Sequence, residues 1–106
     1  PERLGVMGYS FGGMVAMMAV RSIDKVRALA AVSPVVTPGL MEGLNLPAYF
    51  ILGSQDYVVS ANLLIREAKK IKPSGQVELV PEADHLWSGR EDEIALKVAA
   101  FFEKVL

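Results

Sequence analysis

Leu4-Gly5-Val6-Met7-Gly8-Tyr9-Ser10-Phe11-Gly12-Gly13-Met14-Val15-Ala16-Met17-Met18-Ala19-Val20 is a run without a single charge. Its first part, Leu4–Gly8, is short, apolar and bounded by glycine, the pattern of a strand buried on both faces. Its second part continues to Ser22 with apolar residues on nearly every face, which predicts a buried helix over Phe11–Ser22. The run reaches the lower length limit of a membrane span, but Gly8, Tyr9, Ser10, Gly12 and Gly13 place a turn signal in its middle. We therefore read strand, tight turn and helix, with no membrane span.

The same alternation continues downstream. Val26–Ser33 reads as a second strand stopped by Pro34, and Ala48–Leu52 as a third, closed by Gly53. Between them, Val35–Leu46 carries Pro38, Gly39 and Gly43, so it reads as a loop with at most one helical turn. Ala61–Ile71 sets Leu64, Ile65, Ala68 and Ile71 on one helical stripe and ends before Pro73. Gln76–Val80 alternates as a fourth strand, and Asp92–Val105 closes the chain as an amphipathic helix with Ile94, Val98, Phe101, Phe102 and Val105 inward. Strands alternating with helices predict an α/β fold, a four-stranded parallel sheet with helices on both faces. The link between the second and third strands is too short to hold a lid. There is no internal repeat and no low-complexity segment.

Composition sets the outer bounds. The chain has 106 residues, 52% of them hydrophobic, which is the reverse of a disordered composition and fits one domain with one core. Seven of its 23 charges lie in residues 1–55 and the other 16 in 56–106. A net charge of −1 without a dense basic cluster argues against nucleic acid as a partner. The chain has no cysteine, so thiolate chemistry and disulfides are excluded. One histidine without cysteine offers no metal cluster, and no cofactor is expected. No charged segment precedes an apolar one at the start, so the expected location is cytoplasmic.

Gly8-Tyr9-Ser10-Phe11-Gly12 is a G-x-S-x-G pattern between a predicted strand and a predicted helix. A nucleophile on so tight a turn adopts a strained backbone, and small residues are expected two places before it, at Gly8, and two after, at Gly12. The turn sets the Ser10 oxygen at a helix N-terminus, where free N–H groups favour developing negative charge; the Phe11 N–H is the expected oxyanion donor. A serine needs a base, and His85 is the only histidine. Like Ser10, it follows a predicted strand, on the side where parallel sheets build their sites.

Several acids could orient His85. Asp56 follows the third strand, and we favour it. Asp84 adjoins His85, and neighbours on an extended chain point apart. Glu82 reaches only if its loop folds back, and Glu91-Asp92-Glu93 suits the first turn of the last helix through its dipole. Tyr9, Phe11, Tyr57 and Trp87 could supply an apolar substrate wall; each has core packing as its plain alternative.

GYSFGG, then GSQDYV, then EADH, in the order Ser…Asp…His, resembles the C-terminal half of the α/β-hydrolase superfamily, and within it small esterases and dienelactone-hydrolase-like proteins. The resemblance covers essentially the whole chain. It implies a nucleophile at Ser10, an acid at Asp56, a base at His85, and four strands equivalent to the last four of an eight-stranded sheet. Residues 1–106 then form a single reduced domain, either a fragment or a very small protein, without the loop that carries the family's second oxyanion donor. Dienelactone hydrolases proper carry cysteine at the elbow, so Ser10 points away from that substrate class. The expected activity is a serine carboxylesterase cleaving small short-acyl esters; the alternative is a weak or inactive half-domain acting through oligomerisation. Leu4–Gly8 would be an apolar sheet edge, and Met14, Val15, Met17, Met18 and Val20 need cover, so a homo-oligomer, preferably a dimer, is expected through residues 4–20.

Overall fold

The computed structural model describes residues 3–73 and 75–106. Its elements are β1 (Leu4–Tyr9), α1 (Phe11–Ala19), β2 (Val26–Val32), β3 (Ala48–Gly53), α2 (Ala61–Ala68), β4 (Gly75–Val80) and α3 (Glu91–Val105). The sheet order is β1-β2-β3-β4 and every neighbouring pair is parallel. The fold class read from the sequence is the one observed.

The two middle strands, VRALAAV and AYFILG, are buried at every position except Arg27, as near-continuous apolar strands covered on both faces must be. Successive residues of β2 serve opposite faces. Leu29 and Ala31 join Met17 of α1 and Leu64 of α2 in one core layer. Ala28, Ala30 and Val32 join Val98 and Phe101 of α3 in the other. Strands β1 and β4 flank the sheet and are only half covered. All four strands run the same way, so the loops after β1, β3 and β4 open on one end of the sheet.

Two helices end three residues earlier than expected, and the other boundaries fall within one residue of expectation. The α-helix after β1 ends at Ala19, and Val20–Ser22 tightens into a 3-10 turn, because the chain must turn back to enter β2 only four residues later. Burial of α1 is also narrower than its composition suggests: Gly13, Ala16 and Met17 are buried, whereas Val15 and Met18 are 48% and 56% exposed. Four strands cover one stripe of this helix and leave the others open. The helix α2 ends at Ala68 rather than Ile71, since the amides of Lys70 and Ile71 bond three residues back, to Glu67 and Ala68. Ile71 is nonetheless buried.

The inward stripe of α2 also contains Glu67, which is 1% exposed. Its Oε1 accepts the Gly39 N–H at 2.9 Å and its Oε2 pairs with Lys70 Nζ at 2.9 Å, so it ties the β2–β3 connection to the helix. The Lys70 bond holds the Glu67 carboxyl below the usual carboxylate range, against the opposing pull of burial. Lys97, and then Tyr49, do the same for Glu78. A carboxyl whose folded-state pKa is depressed stabilises the fold above its unfolded pKa and loses that contribution as pH falls through the folded value. The melting temperature is therefore expected to drop as pH is lowered from about 6 to about 3. The drop should be shallower in Glu67→Gln and in Glu78→Gln, read by circular dichroism melts.

Candidate active site

Ser10 is the one residue between the end of β1 and the start of α1. Its backbone sits at φ 54°, ψ −120°, a region that costs a non-glycine residue on the order of 1–3 kcal/mol and persists only where the surroundings over-determine it. They do so here. The Ser10 N–H donates to the Val32 carbonyl at 2.8 Å, and the Ser10 carbonyl accepts from Gly13 at 3.0 Å and Val35 at 3.1 Å. A Cβ at Gly8 would lie 2.3 Å from the Gly12 carbonyl oxygen, so no larger residue fits there. The expectation for Gly12 is not met. A Cβ there meets nothing within 4 Å among the described residues, and the second tight position is Gly13, whose Cβ would lie 2.9 Å from Pro34 Cβ. The reason is helical direction: Gly12 faces outward on α1 and Gly13 inward against the end of β2.

Asp56 comes from the turn after β3. Its Oδ1 accepts the backbone N–H groups of Val58 at 2.8 Å and Val59 at 2.9 Å, leaving Oδ2 facing His85 Nδ1 at 2.8 Å. His85, from the loop after β4, places Nε2 at 2.8 Å from Ser10 Oγ. A carboxylate only accepts, so Nδ1 carries the proton and Nε2 is free to accept from the serine hydroxyl. The Asp56 side chain is fully buried and that of His85 is 16% exposed, so this hydrogen-bonded chain is shielded except at its serine end.

Close approach of two loops makes this possible. A Cβ at Gly53, the last residue of β3, would lie 2.1 Å from the Ala83 carbonyl oxygen and 2.5 Å from its carbon, both backbone atoms that cannot yield cheaply. Gly53→Ala is expected to destabilise the fold by about 1–3 kcal/mol, and by pushing residue 83 outward to separate His85 from Asp56. A thermal melt reads the first effect.

The other acids are engaged elsewhere. Asp84 Oδ1 accepts the amides of Leu86 at 3.1 Å and Trp87 at 2.8 Å within its own loop. Glu82 is exposed. Glu91, Asp92 and Glu93 occupy the first turn of α3, where Glu93 pairs with Arg90 at 2.7 Å.

The aromatic residues divide. Tyr9 lies with its ring 5.8 Å from the imidazole and its hydroxyl donating to the His85 carbonyl; partial burial, then Asp56 and Asp84, raise its pKa above the ordinary tyrosine value. Phe11 and Tyr57 are 62% and 93% exposed beside the site. Trp87, expected in a substrate wall, is 1% exposed, with its indole N–H donating to Ser33 Oγ at 2.8 Å, and it borders an apolar groove. Nothing in the Ser33-Pro34 dipeptide except its place at a strand end marks it as a partner. The groove, of about 790 Å³, runs between β1 and α3 and is walled by Met7, Tyr9, Trp87, Ile94 and Phe102 among others; Ser10 and His85 do not line it, but Tyr9, which packs on His85, does. Among the described residues no cluster of three or more metal-ligating side chains occurs, and no helix is long and apolar enough to cross a membrane.

A parallel sheet with a strained serine after β1, an aspartate after β3 and a histidine after β4 defines an α/β-hydrolase, and solved structures agree. A "predicted CIB-like hydrolase" of Thermoplasma acidophilum superposes with a TM-score of 0.81 at 27% identity, over 99% of this chain and 52% of that one. A dienelactone hydrolase of Anabaena variabilis gives 0.85 at 22% identity, over 96% and 49%. An esterase of Pyrococcus furiosus gives 0.83 at 15% identity, over 98% and 55%. The chain thus spans about half the length of these structures. No curated protein sequence matches it. The chain belongs to the dienelactone hydrolase family, whose sequence pattern it matches over residues 1–104.

Proposed function

We propose that this chain carries the catalytic residues of a serine carboxylesterase acting on small, short-acyl esters. The observation that carries this reading is the continuous chain Ser10 Oγ–His85 Nε2 and His85 Nδ1–Asp56 Oδ2, two contacts of 2.8 Å each. Ser10 Oγ attacks the ester carbonyl while His85 Nε2 takes its proton, and Asp56 stabilises the imidazolium that results. The Phe11 N–H, in the first turn of α1, stabilises the tetrahedral oxyanion. Collapse expels the alcohol with the proton from His85. Water, deprotonated by the same nitrogen, then attacks the acyl carbon, and the bond to Ser10 Oγ breaks as His85 returns that proton to the serine oxygen, releasing the acid. The β2–β3 connection is pinned to α2 through Glu67 and forms no lid, and exposed Phe11 and Tyr57 offer apolar contact suited to small groups.

A p-nitrophenyl acetate-to-octanoate series tests this. We expect kcat/KM to fall by about tenfold or more between butyrate and octanoate, and a fluorophosphonate to add its mass at Ser10. A folded protein that is neither labelled nor active would end the esterase reading.

A second reading has its own observation. Strand β1 is a sheet edge, and Met7, Phe11, Val15 and Met18 beside it are each 47% exposed or more. A half-domain associating with a second copy through residues 4–20 would cover them. Light scattering at micromolar concentration decides this: a dimeric mass supports it and a monodisperse monomer ends it.

A further inference from the structure

His85 sits in no regular element. The segment that carries it, Pro81–Arg90, lies between β4 and α3, and irregular backbone of this kind is the least rigid part of a fold unless it is tied down. Catalysis by a base of this kind requires its ring to be held to within a fraction of an ångström.

The tie is buried. Trp87, two residues beyond His85, is 1% exposed, and its Nε1–H donates to Ser33 Oγ at 2.8 Å across 54 residues of sequence. Ser33 is itself 0% exposed. It holds a left-handed backbone at φ 45° directly after β2, where its N–H donates to the Ile51 carbonyl at 2.8 Å. Its neighbour Val32 supplies the carbonyl that holds the Ser10 N–H at 2.8 Å. Two adjacent residues at the end of a central strand therefore register both partners: Val32 grips the backbone of Ser10, and Ser33 grips the loop of His85. Trp87 is also at positive φ, 55°, so its indole is delivered to Ser33 by a backbone shape that has to be maintained. The Tyr9 hydroxyl on the His85 carbonyl and the Asp84 carboxylate on the Trp87 amide shape the same loop from outside. Ala83, before His85, and the Trp87 indole, after it, both enter the core, and the indole does so with a side-chain hydrogen bond.

We propose that the buried Ser33–Trp87 hydrogen bond is a positioning device that sets the His85 imidazole between Ser10 and Asp56. This deepens the esterase reading and rests on it. Ser33 is fully buried, and the Ser33–Trp87 bond acts through His85.

The test uses Ser33→Ala, Trp87→Phe and the double variant. Each single change leaves one buried polar group without its partner, which destabilises by itself, whereas removing both partners removes that penalty. The double variant therefore separates stability from position: it lacks an orphaned polar group and also lacks the tie. We expect it to be folded at the assay temperature, with kcat for p-nitrophenyl acetate lowered by about 10–100-fold and KM within about twofold of wild type. A second readout does not need activity. His85 is the only histidine, so its ring resonances are identified without ambiguity, and the Nδ1 proton shared with Asp56 is expected as a low-field signal in the wild type that broadens or vanishes in the double variant. Persistence of that signal with kcat unchanged overturns the proposal. Loss of the signal in a protein whose wild type shows no esterase activity upholds the positioning role and sinks the esterase reading, so the two fail separately.

Discussion

Ser10→Ala is expected to lower kcat for p-nitrophenyl acetate by about 10⁴-fold or more, the loss that follows when a serine nucleophile is removed and only residual transition-state binding is left. The structure makes the expectation sharp, because His85 Nε2 has Ser10 Oγ as its hydrogen-bond partner at 2.8 Å. No second hydroxyl among the described residues is hydrogen-bonded to that nitrogen. The substitution deletes one side-chain oxygen from a residue whose backbone conformation is held by the Val32, Gly13 and Val35 contacts, all made by main-chain atoms. Melting temperature should consequently move little while activity collapses, and fluorophosphonate labelling should disappear in parallel. Equal rates for the two proteins would show that hydrolysis does not pass through Ser10.

Asp56→Asn is expected to produce the second largest effect, again about 10⁴-fold in kcat, with the fold preserved. The carboxylate uses Oδ1 to accept from Val58 and Val59 and Oδ2 to face His85. An asparagine that keeps its oxygen on those two amides must turn its NH₂ toward His85 Nδ1. That nitrogen can then only accept, the ring proton moves to Nε2, and Nε2 can no longer take the proton of Ser10. The defect is thus one of tautomer rather than of position. KM for short-acyl esters should stay close to wild type while kcat falls, and a kcat unchanged within about threefold would remove Asp56 from the mechanism.

Much of this site could be read without coordinates because its signals are local or combinatorial. The uncharged stretch from Leu4 to Val20 changes periodicity at Gly8-Tyr9-Ser10, and strand, turn and helix boundaries depend on contacts within a few residues. His85 needed no geometry, since a chain with a single histidine offers no second imidazole. The sequence favours Asp56 among several acids, and what separates it from Asp84 in the structure is that Asp84 spends its carboxylate on the amides of its own loop. The family pattern over residues 1–104 adds the class of chemistry; the ester, its acyl length and any partner copy rest on the proposals above.

Sequence alone determined the parallel α/β sheet, the tight serine turn and the single histidine, because alternation of apolar residues and the special demands of tight turns act over short chain distances. Tertiary structure alone decided which side chains meet across the fold. It showed that Gly13 and not Gly12 packs against Pro34. It placed the Trp87 indole in the core on Ser33, and brought Glu67 inside to hold Gly39. It also left Val15 and Met18 uncovered on α1. Each of these depends on partners 21 to 54 residues away or on the number of strands available to cover a helix, and an apolar or polar letter is the same in the sequence whichever of those surroundings it finally meets.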